Sequence, residues 1–265
     1  MERRRFLAAS LATSIAAISA PTVGAQTSAS RERQYYLLRR YFLQTGPQTK
    51  LTEDYFRGAL IPALTRMGLG PVGAFRVDIG PETPTFYLLV PGPSVEAVAE
   101  IDLRLAKDTG FLKSAEPFWS APATSLSFVR TESALLAAFE GWPKVTPPEA
   151  SSTRGKRIFQ LRTYESPSDR DHVRKVEMFH SGEFDIFLKA GFHPVFFGDT
   201  MVGPRMPNLT YMLAFADAAE MNAKWDVFRS DPAWKKMQAD PRFSFEAIVS
   251  NITNLLLSPL DASQI

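Results

Sequence analysis

Three side chains on one predicted helix could carry acid–base chemistry. Glu177, His180 and Glu183 follow one another at intervals of three residues, a spacing that places each beside the next on adjacent helical turns. A carboxylate beside an imidazole can orient the ring as a general base or complete a metal site. These three residues are the candidate catalytic group. The alternative is a half-buried histidine between two solvated glutamates, without a catalytic role.

A second candidate group lies on two predicted strands, one in each half of the chain. Arg162 and Tyr164 share one face of the later strand, whereas Phe159 shares the opposite face with other apolar residues. Arg39 and Tyr41 occupy matching positions in the earlier strand. We expect the apolar faces to meet helices and the polar faces to line an enclosed interior. Guanidinium groups bind carboxylate or phosphate in a bidentate manner, so these four polar residues predict a site for a small anion. The alternative is an internal ion-pair or water network that only holds the two halves together.

The elements that must position both groups occur in the same order twice. A helix over residues 169–190 carries the catalytic candidates and is bounded by an N-terminal Ser-Pro-Ser sequence and by Gly191. The order in each half is strand, helix, strand, strand, helix, strand, which is the ferredoxin-like α+β plan. The predicted strands are residues 35–43, 72–79, 85–90, 124–130, 158–165, 195–202, 208–215 and 247–257.

The two halves also match in sequence. Residues 38–41 align with residues 161–164 at a shift of 123, and further along the shift becomes 124, which pairs Tyr87 with Tyr211. Two similar units that face each other would bury both open sheet faces and enclose a central space. The sequence therefore predicts a tandem, pseudo-dimeric α+β barrel within one chain.

Segments of distinct composition divide the chain into four parts. Residues 143–156 are rich in Pro, Ser and Thr and form the predicted linker. The first ferredoxin-like unit is predicted over residues 26–142, and the second over residues 157–265. Residues 1–25 have the composition of a signal peptide.

The signal peptide is predicted from its charge and its length. Arg3 and Arg4 precede Phe6, the run from Ala8 to Ala20 is small and apolar, and a small-residue cleavage site ends at Ala25. The run is too short to cross a bilayer, for which roughly 20 residues are needed. The paired arginines resemble the twin-arginine export motif, and a general secretory signal is the alternative. The predicted location is periplasmic or secreted, without a membrane anchor after cleavage.

The charge and cysteine content exclude several classes of protein. The chain has 265 residues with 30 Lys+Arg, 28 Asp+Glu and no cysteine. Residues 1–25 carry three arginines and one glutamate, which account for the whole formal charge of +2. A neutral remainder lacks the field expected of a nucleic-acid-binding protein. The absence of cysteine removes thiolate metal sites and cysteine nucleophiles, and the three histidines have no ligand spacing, so no metal site is predicted.

Four blocks of the second half resemble the NIPSNAP family. They occur in the family's order within residues 158–255, and they are Glu177–Glu183, Pro194–Gly198, Met206–Leu213 and Asp231–Lys235. The resemblance implies a dimeric α+β barrel. It implies no defined chemistry, because proposals for the family range from vesicle or mitochondrial roles to small-molecule binding. His180 departs from the family pattern, in which asparagine is usual, so a role for this histidine would be particular to this chain.

Three functional hypotheses follow, and the sequence leaves open whether the protein is an enzyme. The main hypothesis is an exported NIPSNAP-like protein that binds a small anionic molecule in the barrel cavity, with no cofactor required. Exported barrel haemoproteins suggest a haem-binding alternative with His180 as the axial ligand. The third hypothesis is a non-catalytic interaction or structural protein. Association into an oligomer stays open in all three.

Overall fold

The computed structural model describes residues 33–265, so the predicted signal peptide lies outside the described residues. The strands are β1 (Tyr35–Phe42), β2 (Gly73–Ile79), β3 (Thr85–Gly92), β4 (Arg130–Ala138), β5 (Ile158–Glu165), β6 (His193–Val202), β7 (Asn208–Phe215) and β8 (Asn251–Pro259). The helices of the first half are α1 (Pro47–Tyr55), α2 (Ile61–Arg66), α3 (Val95–Ala99), α4 (Ile101–Leu105) and α5 (Thr109–Trp119). A short helix, α6 (Glu149–Ser152), lies between the halves. The helices of the second half are α7 (Asp169–Met178), α8 (Phe184–Lys189), α9 (Ala218–Ser230), α10 (Pro232–Gln238) and α11 (Phe245–Ile248). A 3-10 turn, Pro241–Phe243, precedes α11.

The eight strands close into one antiparallel barrel in the order β1-β3-β2-β8-β5-β7-β6-β4. Each half contributes four consecutive strands, ordered β4-β1-β3-β2 in the first half and β8-β5-β7-β6 in the second. The halves join where β2 pairs with β8 and where β4 pairs with β6. The α+β class and the barrel architecture expected from the sequence are confirmed.

Apolar side chains fill the barrel interior. Phe75 on β2 contacts Phe159 on β5 with ring centroids 4.9 Å apart, and Tyr36 on β1 contacts Phe196 on β6 at 5.3 Å. One strand separates the two members of each pair in the sheet, so both contacts are made inside the barrel rather than between neighbouring strands. All eight strands contribute buried side chains to this cluster. An eight-stranded barrel is just wide enough for such packing, and the cavity at its polar end measures only about 40 Å³.

The helices cover the outer face of the sheet and form one apolar layer in each half. This arrangement reverses the predicted facing of the strands. Phe159 and Leu161 point into the barrel, whereas Arg162 and Tyr164 point outward toward the helices. Alternation fixes which residues share a face but not which face is which, and here both faces are buried. The predicted ligand site inside the barrel is therefore wrong in its position.

Two predicted strands of the barrel differ from the observed bounds by more than two residues at an end, apart from smaller differences elsewhere. The fourth strand was expected at residues 124–130, but β4 begins at Arg130, where that prediction ends. The alanines and leucines of β4 have low intrinsic strand preference, and pairing with β1 and β6 overrides it. The last strand was expected from Ala247, whereas α11 occupies that position and β8 begins at Asn251. Within residues 33–265, no helix has both the length and the apolar character needed to cross a membrane.

Candidate functional site

A cavity of about 280 Å³ lies between the sheet and the helices of the second half. We call it the helix-side pocket. It receives side chains from β5, β8 and the helical segments from α7 to α11. Its lining residues are Arg162, Tyr164, Lys175, Glu183, Phe187, Trp225, Phe228, Arg229, Trp234, Gln238, Phe245 and Ile252. The pocket is thus mainly aromatic, with a small number of charged groups, as is usual for a small-molecule site.

Arg162 is the central cation of the helix-side pocket. Its guanidinium carbon lies 4.6 Å from the Trp225 ring centroid and 5.3 Å from that of Tyr164, within the range of cation–π attraction. The indole Nε1 of Trp225 donates to Gln160 Oε1 at 2.8 Å, which fixes the indole plane beside the arginine. Among the described residues, Arg162 has no ion-pair partner, and its buried Nε has no hydrogen-bond acceptor. A charged donor group is therefore held in place with no carboxylate of the described residues within ion-pair distance.

A buried ion pair forms the floor of the pocket. Lys175 Nζ donates to Glu183 Oε2 at 2.8 Å, and both side chains are almost fully buried, at 2% and 3% exposure. The same ammonium lies 4.4 Å from the Phe179 ring centroid and 3.4 Å from Met178 Sδ. Burial raises the pKa of Glu183, and the opposing effects of Lys175 and Arg162 are smaller. The desolvation cost of this carboxylate therefore exceeds the stabilisation that the two cations return.

A π-helical turn brings the two partners of this ion pair together. The turn, Phe179–Glu183, separates α7 from α8, and Gly182 within it has φ of 124°, which favours glycine. In an unbroken α-helix, residues eight apart lie about 80° from each other around the axis. Gly182 is not helical and kinks the chain between α7 and α8, which changes that angle and brings Glu183 within hydrogen-bond distance of Lys175.

Two tyrosines connect the arginine to the rest of the sheet. The hydroxyl groups of Tyr164 and Tyr211 lie 2.9 Å apart, and Tyr211 stands opposite Arg162 in the pairing of β5 with β7. Complete burial raises the pKa of Tyr211 well above its usual value, so this phenol stays protonated. One hydroxyl must accept from the other. Tyr164 lines the pocket and Tyr211 does not, so the Tyr164 hydroxyl can donate to an oxygen atom in the pocket when it accepts from Tyr211.

The corresponding position of the first half is closed by an internal carboxylate. Arg39 donates to both oxygens of Asp102, at 2.9 and 2.7 Å, and to Ser133 Oγ at 3.0 Å. Tyr41 is buried against Phe56, with ring centroids 5.0 Å apart. The predicted residues Arg39 and Tyr41 therefore lie outside the barrel, in the first helical layer, and share no space with their counterparts in the second half.

Strand register also corrects the predicted alignment of the two halves. Leu88 stands opposite Arg39 on β3, as Tyr211 stands opposite Arg162 on β7. The structure thus aligns Tyr211 with Leu88 and keeps the shift at 123, whereas the sequence paired it with Tyr87. The tyrosine that contacts Tyr164 consequently has no counterpart in the first half.

The three predicted catalytic residues point in different directions. Glu183 is buried with Lys175, whereas Glu177 is half exposed and lies 3.9 Å from Arg242. His180 is exposed on a third side, against the segment after β4. An unbroken helix over residues 169–190 would place these three side chains beside one another. The kink at Gly182 breaks that periodicity, so they do not form one cluster.

Both ring nitrogens of His180 are engaged within the protein. Nδ1 donates to Val176 O at 2.9 Å, and Nε2 accepts from Gly141 N at 3.1 Å. An axial iron ligand would have to give up the second bond, and this geometry does not favour the haem hypothesis. His172 is buried, and its Nε2 lies 2.7 Å from Asp199 Oδ1. Within residues 33–265, no cluster of three or more metal-ligating side chains occurs.

Sequence reasoning missed several residues that form the pocket. Lys175 and Tyr211 gave no separate signal, because a lysine on a helix and a tyrosine in a strand are ordinary residues. Trp225 gave no separate signal either, because a tryptophan on a helix is most simply a packing residue. The contact of Arg39 with Asp102 joins residues far apart in the chain. The match of residues 38–41 with residues 161–164 identified Arg39 and Arg162 as counterparts, but only the structure shows that, among the described residues, one is paired and the other is not.

Comparisons with known proteins place this geometry in a family. The NIPSNAP family model matches residues 159–264. No curated protein sequence matches the chain significantly. Among solved structures, a candidate monooxygenase from Lactobacillus acidophilus NCFM is similar, with 10% identity over 86% of this chain and 94% of that chain, and a TM-score of 0.54. A candidate chlorite dismutase is similar at 13% identity over 87% of this chain and 96% of that chain, with a TM-score of 0.50.

A smaller solved structure is similar to part of the chain. It is a NIPSNAP-like domain protein from Burkholderia xenovorans, with 12% identity over 40% of this chain and 86% of that chain, and a TM-score of 0.36. The full-length similarities support the barrel fold alone, whereas the family model identifies the half that holds the helix-side pocket. The second half of the chain, residues 159–264, is a NIPSNAP domain.

Proposed function

We propose that this protein binds a small organic anion in the helix-side pocket of its NIPSNAP domain. The observation that carries the proposal is the different environment of two matching arginines. Arg39 holds Asp102 in a bidentate ion pair, whereas Arg162 has no carboxylate partner among the described residues. The first half supplies its own anion, and the second half leaves this position for a ligand.

The chemistry of the site supports an anion rather than a cation. Arginine stays protonated at all physiological pH values, and its planar donors match the two oxygens of a carboxylate. Lys175 does not compete for the ligand, because Glu183 neutralises it. The hydroxyl groups of Tyr164 and Tyr211 add a hydrogen-bond donor beside the guanidinium. The pocket is partly shielded from water, which strengthens such contacts.

Thermal shift with a panel of small carboxylates and phosphates tests this proposal. A ligand present at about 100 times its Kd should stabilise the protein by about 2.7 kcal/mol. We expect Arg162→Gln to weaken binding by roughly 10- to 150-fold, because a hydrogen bond to a charged group contributes about 1.5–3 kcal/mol.

Arg39→Gln is the matched control, since it removes the same group from the same strand position of the other half. It should leave ligand affinity unchanged. Equal losses in both variants, or ligands that stabilise wild type and Arg162→Gln alike, would contradict the proposal. A protein to which no anion binds would instead favour the non-catalytic interaction hypothesis.

The finer architecture is consistent with a duplication of one unit, which we include in the proposal. Both halves have the same strand order, and each has a π turn after its first long helix. These turns, Phe56–Leu60 and Phe179–Glu183, are separated by the same 123 residues that relate the matching strands. In this view, the positions around the two matching arginines diverged after duplication, when the first half acquired an internal carboxylate.

Export to the periplasm or the exterior completes the proposal, on the evidence of residues 1–25. The intact mass of the exported protein should correspond to a chain that starts at Gln26. Replacing Arg3 and Arg4 by lysines should block export if the twin-arginine route is used, and unchanged export would favour the general secretory route. A cytoplasmic product that retains Met1 would contradict export altogether.

A further inference from the structure

We propose that the ligand of the helix-side pocket is an aromatic monocarboxylate of one or two rings. This inference rests on the proposed anion site and adds the class of molecule that fits it. Three properties of the pocket define the class: the aromatic character of its walls, its volume and its net charge.

The walls of the pocket present aromatic faces on several sides of Arg162. Trp225 and Tyr164 flank the guanidinium itself. Trp234 packs against Phe228, with ring centroids 4.6 Å apart, and both line the cavity. Phe245 stands at the opening and is 39% exposed although it is a large apolar residue. Aromatic rings prefer offset or edge-to-face neighbours, and each such contact contributes about 0.5–1.5 kcal/mol beyond its buried area.

The volume of the pocket limits the size of the ligand. An engineered apolar cavity of about 150 Å³ holds one benzene molecule. The helix-side pocket measures about 280 Å³, which accommodates one ring with a short acidic side chain or a fused pair of rings. Extended chains and larger cofactors exceed this volume.

The charges of the pocket fix the charge of the ligand. Lys175 is neutralised by Glu183, and Arg229 at the opening pairs with Asp226 at 2.6 Å. Arg162 is thus the one lining cation of this pocket that lacks a counterion among the described residues. A monoanion neutralises it, whereas a dianion would bring an additional charge into an apolar site at considerable cost.

Four ligands that differ by one feature each test the inference by isothermal titration calorimetry. They are phenylacetate, cyclohexylacetate, which removes aromaticity, phenylacetamide, which removes the charge, and phenylmalonate, which adds a second carboxylate. We expect phenylacetate to bind best. Cyclohexylacetate should bind a few-fold to about tenfold more weakly because it loses the ring-to-ring contacts. Phenylacetamide and phenylmalonate should each bind at least tenfold more weakly.

The outcomes separate this inference from the function on which it rests. If cyclohexylacetate binds as tightly as phenylacetate, the aromatic class is wrong and the anion site stands. If phenylmalonate binds at least as tightly as phenylacetate, the restriction to monoanions is wrong. If phenylacetamide matches phenylacetate, the anion site itself is wrong. If none of the four binds while a carboxylate or phosphate of the thermal-shift panel does, the aromatic class is wrong and the anion site stands.

A variant of one wall gives an independent check. Trp234→Leu keeps Arg162 and its neighbours but removes an aromatic face, so the preference for phenylacetate over cyclohexylacetate should shrink. Both carboxylates should still lose affinity when Arg162→Gln is added. An undiminished preference in Trp234→Leu would overturn the placement of the ring against this wall. Upfield shifts of the phenylacetate ring protons in NMR spectra report ring stacking directly and do not depend on either variant.

Discussion

Replacing Glu183 with alanine should lower the free energy of unfolding by about 3–5 kcal/mol, because it leaves the buried ammonium of Lys175 without its carboxyl hydrogen-bond acceptor. Urea denaturation followed by circular dichroism measures this change. Glu177→Ala is the control, since this glutamate lies on the adjoining helix with a half-exposed side chain. Its effect should stay within about 0.5 kcal/mol. A loss of similar size in both variants would contradict the assignment of Lys175 and Glu183 as the buried pair.

Removing both charges together should cost much less than removing one. The double variant Lys175→Met with Glu183→Leu keeps approximately the same volume, and apolar replacements of a buried ion pair are often neutral or stabilising by about 1–4 kcal/mol. The raised pKa of Glu183 supports this expectation, because burial outweighs the attraction of Lys175 and Arg162. A double variant as unstable as Glu183→Ala would show that the pair makes a net contribution to stability.

The raised pKa of Glu183 also predicts how the stability of the protein depends on pH. The native carboxyl of Glu183 has a higher pKa than the unfolded one, so the native protein holds an additional proton between the two values. The contribution of this group to the free energy of unfolding is complete below the ordinary carboxyl pKa of the unfolded chain. It is lost as pH rises through the elevated pKa of the native state. Glu183→Gln should remove that decrease. The comparison requires unfolding free energies of wild type and variant across the acidic range.

Replacing Phe159 with alanine should cost about 3–5 kcal/mol, the usual loss for a large aromatic side chain in a packed interior. Phe159 contacts Phe75 inside the barrel, so the substitution removes a contact between the two halves. Unfolding should remain a single transition at a lower denaturant concentration. Phe245→Ala is the matched control, because this ring is partly exposed at the pocket opening.

The control substitution should cost much less than the interior one, and the ligand should not be present in either measurement. A small effect of Phe159→Ala would indicate that this ring does not fill the barrel. Two separate transitions would indicate that the halves unfold independently, contrary to the shared interior of the barrel.

Local sequence patterns predicted most elements but not the facing of the sheet. Strand alternation grouped Arg162 with Tyr164 and separated them from Phe159, as the structure confirms. The error was to place the polar group inside. In a sheet with one solvated face, polarity identifies the outer side, but in a barrel covered by helices both faces are buried. Only the tertiary contacts then decide which group fills the interior.

The candidate site shows a second limit of periodicity. His180 and Glu183 were predicted to act together because each residue of an α-helix turns by a constant angle. The π turn changes that angle once, and it exchanges the histidine for a lysine as the partner of Glu183. Apart from Gly182, no residue preference in this segment predicts such a turn. The bidentate bond of Arg39 to Asp102 was equally invisible, because it depends on how α4 packs on β1.

The closure of the barrel within one chain removes every open sheet edge from the described structure. A separate second half would expose the hydrogen-bonding groups of β6 and β8, together with the apolar surface around Phe159. Unpaired strands of this kind recruit other chains, which leads to aggregation or to pairing with a second copy. Covalent linkage of the halves therefore protects the chain against intermolecular strand pairing. Linkage also lets the sequence of one helical layer change without the same change in the other, which two identical subunits could not do.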